Sequence, residues 1–212
     1  MNDAIKRGAP PALILAAALY AGMSTAQAQQ PAAGARGGGR GPVLTVTSTS
    51  FPDGGEVPMH NAGRGDNKSP QFEFKWMNGT TPVAPPDTVK TYAIVLHDIE
   101  NPGPMRGTSD TLHWTAFNIP VTTTTLPEGL PEGVLPDGTT NGPGIRGARG
   151  GNPGAYFGPG AGPGPFHHYV FEFYALDTKL DIPATATRDE LMKAMEGHVV
   201  GKAAYVGRFH GQ

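Results

Sequence analysis

An antiparallel, mainly β domain is the fold this chain predicts, and three observations predict it. Short apolar segments recur with a period of two, turn residues separate them (31 Gly and 22 Pro in 212 residues), and one capped helical stretch stands near the C-terminus. A length of 212 residues suits a single domain. The formal charge of −2 gives no global attraction to nucleic acid, and no Lys/Arg block marks a phosphate-backbone footprint. With no cysteine, disulfides, thiolate nucleophiles and zinc–thiolate sites are excluded. Any chemistry then rests on oxygen and nitrogen groups.

At the N-terminus, Lys6 and Arg7 precede an apolar stretch over residues 12–21, and Ala26-Gln27-Ala28 supplies the small-x-small pattern that signal peptidase reads. The stretch is shorter than the roughly 20 apolar residues needed to span a bilayer. Residues 1–28 therefore read as a cleavable signal peptide cut after Ala28, which predicts a periplasmic or secreted protein with no transmembrane segment in its mature form. Cleavage leaves 14 basic against 17 acidic residues, a net charge of −3. Residues 29–42, with Gly34 and Gly37-Gly38-Gly39, have no apolar periodicity and read as a flexible leader. Order begins near Val43, and residues 43–212 form the domain.

In Phe72-Glu73-Phe74-Lys75-Trp76 the aromatics take one face and the charges the other, as in a half-buried strand. Residues 92–96 are apolar on both faces and so belong in the middle of a sheet, and residues 112–119 are similar. Residues 121–166 carry turn residues almost throughout, with 15 Gly or Pro among the 26 residues from Asn141 to Phe166. A connection of that length without secondary structure is usually functional or mobile. A strand over residues 170–176 alternates Phe171 and Phe173 against Glu172 and Tyr174, and residues 203–209 make the last strand. Between these two, Thr187-Arg188-Asp189-Glu190 fits a capping box, and Leu191, Met195 and His198 or Val199 follow at helical spacing until Gly197 and Gly201 weaken it.

Three segments carry the candidate chemistry: Asp98-Ile99-Glu100-Asn101-Pro102, then His113-Trp114, then the run from Gly158 and Pro159 to Pro165 that closes on His167-His168-Tyr169. Each acidic or imidazole group lies where an apolar strand meets a loop, a setting that suits a small polar ligand, above all an anion. Asp98 ends one strand and His113 begins the next, so an antiparallel pairing puts them at one end of a sheet. His167 and Tyr169, two apart, share a face. Strand direction, which the residues alone leave open, decides whether that face adjoins Asp98. An imidazole beside a carboxylate gains cationic character, and the Gly158 to Gly164 loop adds backbone donors, so a phosphate or carboxylate can be held by charge-assisted hydrogen bonds of roughly 1.5–3 kcal/mol each. Each residue also has a plainer role. Asp98 and Glu100 can cap a turn after a strand, His113 and His167 can be satisfied half-buried histidines, and Tyr169 can be a core aromatic. His60, His97, His168, His198 and His210 read as structural or surface residues.

In order and spacing these segments resemble the phosphatidylethanolamine-binding protein family, in its bacterial, Raf-kinase-inhibitor-like branch. The resemblance runs from about Val43 to Phe209, through Ser69-Pro70, residues 174–177 (Tyr-Ala-Leu-Asp) and Gly197-His198-Val199. It implies an antiparallel β-sandwich with long Gly/Pro-rich loops and a short helix near the C-terminus. It also implies an anion pocket built from Asp98, Glu100, Pro102, His113, Gly158, Pro159, His167 and Tyr169, with Pro102 a candidate cis proline. The chain departs from the family pattern in three places. Ile99-Glu100-Asn101 replaces Pro-Asp-Ala, Gly160-Ala161-Gly162 stands where a Cys-Pro-Pro run is usual, and no tyrosine lies between Asp98 and His113. The expected partner is a small anion or a phospholipid headgroup, with no cofactor, no catalytic residue and no identified protein partner. Two alternatives stand beside it. One is a metal-dependent or acid/base hydrolase using the same His/Asp cluster, although His-x-Asp, His-Glu-x-x-His and Gly-x-Ser-x-Gly are all missing. The other is a protease- or kinase-inhibitor-like module that binds protein through residues 121–166.

Overall fold

Two sheets pack face to face around an aromatic core in the computed structural model of the chain, which describes residues 41–101, 110–144 and 154–212. Residues 1–28, expected to be a signal peptide, residues 29–40 of the expected leader, and Pro102 with its preceding peptide bond lie outside the described residues.

The elements run β1 (Val43–Thr47), β2 (Gly55–Glu56), a 3-10 turn (Met59–Asn61), β3 (Phe72–Asn78), β4 (Thr81–Val83), β5 (Thr91–Asp98), β6 (Thr111–Pro120), β7 (Thr125–Leu126), β8 (Thr140–Gly142), β9 (His167–Leu176), α1 (Arg188–Met195) and β10 (Val199–Phe209). The smaller sheet has the order β1-β3-β4, with β7 also paired to β3. The larger has the order β2-β10-β9-β5-β6-β8. All pairings are antiparallel except the short β2–β10 edge.

The alternation seen in the sequence explains the layers. Phe72, Phe74 and Trp76 of β3 are buried between the sheets while Glu73 and Lys75 face outward. Phe72 meets Phe171 and Phe173 at 5.0 and 4.9 Å between ring centroids, and Phe74 stacks on Tyr92 at 4.6 Å. Each such ring contributes about 1.5–3 kcal/mol by leaving water, with edge-to-face geometry adding to that. Strand β5 is buried along its whole length because both faces are covered. Tyr92, Ile94 and Leu96 join the inter-sheet core, whereas Ala93 and Val95 pack with Leu191 and Met195 of α1.

Both halves of the capping box form: the Glu190 amide donates to the Thr187 hydroxyl at 3.2 Å, and the Thr187 amide donates to the Glu190 carboxylate at 2.7 Å. The helix stops earlier than the apolar spacing suggests. Gly197, at a φ of 82°, turns the chain back, so Val199 opens β10 instead of continuing the helix. Residues 121–166 differ from the expected structureless loop. In their described part they carry β7 and β8, and they are tied down by buried Asn141, which accepts from the Trp114 indole at 2.9 Å and donates to the Pro131 and Gly133 carbonyls. Among the described residues, no helix is long and apolar enough to cross a membrane.

Candidate functional site

Register brings the candidate residues together. Asp98 pairs with Thr111 of β6 on one side and with Tyr169 of β9 on the other. His113, two residues beyond Thr111, and His167, two before Tyr169, therefore lie at the same end of the sheet as Asp98. There Asp98, His113, His167 and Tyr169 line a pocket of about 180 Å³, joined by Asn101, Phe157 and the Gly160, Ala161 and Gly162 loop. A larger depression of about 280 Å³ lies at the Tyr92 end of β5, walled by Phe74, Trp76 and Val83, and has neither a carboxylate nor an imidazole in its lining.

The chemistry sits in the smaller pocket. Asp98 is 2% exposed, and its charge is met from several sides. The Glu100 and Asn101 amides both donate to Oδ1 at 3.1 Å, and His167 Nδ1 lies 2.8 Å from Oδ2. A carboxylate can only accept, so His167 carries a proton on Nδ1. His113 is buried too, with Nδ1 held 3.1 Å from both the Phe157 and Gly158 carbonyls. Carbonyls likewise only accept, so Nδ1 carries the proton here as well. Tyr169, 0% exposed, crosses His113 edge-on at 5.1 Å.

Loop amides expected to serve a ligand are already engaged. Gly160 N–H and Ala161 N–H donate to the Tyr169 hydroxyl at 3.1 and 3.0 Å. The Tyr169 hydroxyl is hydrogen-bonded to Asp98 as well. Burial, and then the Asp98 charge, hold the Tyr169 phenol well above its ordinary 10, so it stays a neutral donor. Gly158 and Pro159 lie behind the pocket wall and anchor the loop: Gly158 N–H donates to the Asn67 side chain at 2.9 Å, and the Pro159 carbonyl accepts from Gly63 N–H at 2.8 Å.

Glu100 sits outside the lining, at the lip. Its carboxylate accepts from His168 N–H at 2.7 Å and meets His168 Nδ1 at 2.7 Å. Burial pushes the Glu100 carboxyl up, but the His168 amide and imidazole outweigh this and leave it below its ordinary 4.5. One ligand atom each from Asp98, Glu100 and His167 falls within 4.8 Å of the others, close enough to hold a divalent ion. The remaining histidines lie elsewhere: His60 between Asp66 and Glu128, His198 on Asp177, His210 against Phe166, and His97 behind the sheet. Sequence reasoning missed Asn101, Phe157 and the anchor Asn67. Only Asn67 carries a signal, since an Asn in a Gly-Asp-Asn turn suits its observed φ of 56°.

Comparison with known proteins gives a consistent result. The sequence model of the family described as phosphatidylethanolamine-binding protein matches residues 47–210. A UPF0098 protein of Methanothermobacter thermautotrophicus is 33% identical over 167 residues, covering 78% of this chain and 98% of that protein. One from Pyrococcus horikoshii is 33% identical, covering 83% and 81%. Among solved structures, a putative phosphatidylethanolamine-binding protein homologue of Chlamydia trachomatis superposes with a TM-score of 0.65 at 24% identity, covering 80% of this chain and 99% of that one. E. coli YbcL gives 0.62 at 22% identity, with the same coverage. These two structures share the fold.

Proposed function

Because this chain belongs to the phosphatidylethanolamine-binding protein family, we propose that its Asp98–His113–His167–Tyr169 pocket binds a small anion, a phosphate or a phospholipid-type headgroup, outside the cytoplasm. One observation carries the proposal. Both imidazoles are held through Nδ1, to Asp98 and to two carbonyls, and both line the same 180 Å³ concavity, where an imidazolium N–H would donate to a bound anion. Among the described lining residues the carboxylate, Asp98, already accepts from two backbone amides and His167, so its lone pairs are turned to donors of the fold and not to the ligand space. A volume below the roughly 300 Å³ at which drug-sized pockets begin suits phosphate or a headgroup and not a whole lipid. Two or three charge-assisted contacts support micromolar binding, about −8 kcal/mol, with some burial against Phe157. The signal pattern over residues 1–28 supports an extracytoplasmic site of action, which disfavours a kinase partner.

The test replaces His113 and His167 together with Ala and titrates phosphate or phosphoethanolamine by NMR. Shift changes in the double variant as large as in the wild type would remove the proposal. A second reading, a metal-dependent hydrolase, draws on the proximity of Asp98, Glu100 and His167. Against it, Asp98 and His167 satisfy each other at hydrogen-bonding distance, as do Glu100 and His168. Elemental analysis of protein purified without chelator separates the two, since stoichiometric zinc, iron or manganese supports the hydrolase.

A further inference from the structure

We propose that His97 is a positioning residue for the pocket: behind the six-stranded sheet it forms, with Asp110, a clasp that fixes the end of β5, which carries Asp98, against the start of β6. The proposal rests on the anion-binding role given above. His97 and Asp98 are neighbours on β5, so alternation sends Asp98 to the pocket and His97 to the opposite face. There His97 is 8% exposed, with Nδ1 2.5 Å from Asp110 Oδ2. Asp110 also accepts from Arg188, the first residue of α1, so the clasp is tied to the helix. On the other flank stands Glu172 of β9, which accepts from Tyr174 at 2.9 Å and pairs with Lys202 of β10 at 2.7 Å.

His97 Nε2 points toward that flank. It is buried and, among the described residues, makes no hydrogen bond, its nearest acceptor being Glu172 Oε2 at an ion-pair distance of 3.6 Å. Buried polar atoms left unpaired are rare and call for a cause. The cause here is that the ring is set by Asp110: holding Nδ1 against that carboxylate leaves Nε2 short of Glu172. Packing alone does not account for this choice, because an apolar side chain fills such a position without stranding a polar atom.

What the clasp holds is the end of β5 with the pocket residues Asp98 and Asn101. Residues 97 and 98 end β5, and Asp110 and Thr111 lead into β6, where Asp98 pairs with Thr111 after an irregularity between Leu96 and His97. Thr111 also donates to the Asn101 carbonyl at 3.3 Å. The Glu100 and Asn101 amides that neutralise Asp98, and the Asn101 that lines the pocket, all hang from the stem that His97 secures.

The experiment titrates inorganic phosphate into the full chain by calorimetry for the wild type, His97→Leu, His97→Asn, Asp110→Ala and the His97→Leu/Asp110→Ala double variant. Leu at 97 and Ala at 110 should each weaken binding roughly tenfold, with the double variant no weaker than either. Asn at 97 places an amide donor where Nδ1 lay and should restore affinity to within about threefold of the wild type. Wild-type affinity in both single variants, or additive losses in the double, overturns the clasp. If His97→Leu does not fold, Asp110→Ala alone gives the same decision, since it removes the acceptor from a position that is 21% exposed at its side chain. A wild type that fails to bind phosphate removes the anion-pocket role itself, and the clasp with it, a result read without any variant.

Discussion

Replacing Asp98 by Asn changes the electrostatics of the pocket with almost no change in shape, and its cost follows from the hydrogen bonds Asp98 accepts. Oδ1 takes the Glu100 and Asn101 amides at 3.1 Å, and Oδ2 lies 2.8 Å from His167 Nδ1. If the Asn oxygen stays on the backbone amides, its NH₂ faces the N–H of His167 and the hydroxyl of Tyr169, and donors meet donors. If the amide flips, both backbone donors lose their acceptor. Either way two hydrogen bonds are lost at a site 2% exposed, each worth roughly 1.5–3 kcal/mol with a charged acceptor. Two effects offset part of this: the buried charge disappears, and His167 can shift its proton to Nε2 and accept at Nδ1. The net expectation is a destabilisation of about 2–4 kcal/mol, or about 5–15 °C in Tm. Urea unfolding measures the first, with an unchanged m-value as control, and nitrogen-15 NMR of the imidazole locates the proton. A variant within about 0.5 kcal/mol of the wild type, with the His167 proton still on Nδ1, would refute the hydrogen-bond assignment at Asp98.

Three further outcomes are expected. Gly158→Ala places a Cβ 2.1 Å from the Asn61 carbonyl oxygen and 2.8 Å from the Tyr156 hydroxyl, so the loop behind His113 must move; urea unfolding should show a loss of about 2–3 kcal/mol, and phosphate titration a weaker affinity. Thr187→Ala removes the N-cap of α1 and should cost about 1 kcal/mol in the same unfolding assay while phosphate affinity stays unchanged. Acid should destabilise the protein through the cluster behind the sheet. Burial raises Asp110 and Glu172, but Arg188 and His97 around the first, and Lys202 and Tyr174 around the second, bring both below their ordinary 3.8 and 4.5. A depressed folded value means that the stabilisation is complete above those ordinary values and is lost as pH falls through the lower folded ones. Unfolding free energy should therefore drop below about pH 4.5, and Asp110→Asn should flatten the drop; parallel curves for variant and wild type contradict the assignment.

The strands were legible wherever one face is apolar and the other is not. Glu73 and Lys75 between buried aromatics mark β3 as half-buried, and the unbroken apolar run of β5 marks a strand covered on both sides. The helix start was legible because its cap is a local device of four residues. Its end was not, because the spacing of Val199 fits a helix as well as a strand, and the backbone turn at Gly197 decides between them. Asp98, His113, His167 and Tyr169 were legible as site candidates, but their meeting depended on register, which is a long-range property. The roles of Gly158 and the loop amides were not legible at all. Whether an amide faces a ligand or a tyrosine hydroxyl turns on a peptide-plane rotation that leaves no trace in residue type.

His97 shows the same limit from the other side. A lone histidine at a strand end, next to a candidate ligand-binding aspartate, looks like either a site residue or a filler, and its neighbours in sequence cannot say which. The partners that decide are Asp110, 13 residues on, and Glu172, on a different strand. Alternation makes the two faces of position 97–98 inseparable: whatever fixes the backbone of His97 from behind fixes the carboxylate of Asp98 in front, with one peptide unit between them. A pocket at the end of a strand lacks the support of a continuing ladder, and on the proposal above the hydrogen-bonded His97–Asp110 clasp on the opposite face supplies it without occupying the space where a ligand must fit. The cost is an Nε2 that, among the described residues, faces Glu172 at 3.6 Å without a hydrogen bond, which is tolerable only if the geometry it secures matters more than the hydrogen bond it forgoes.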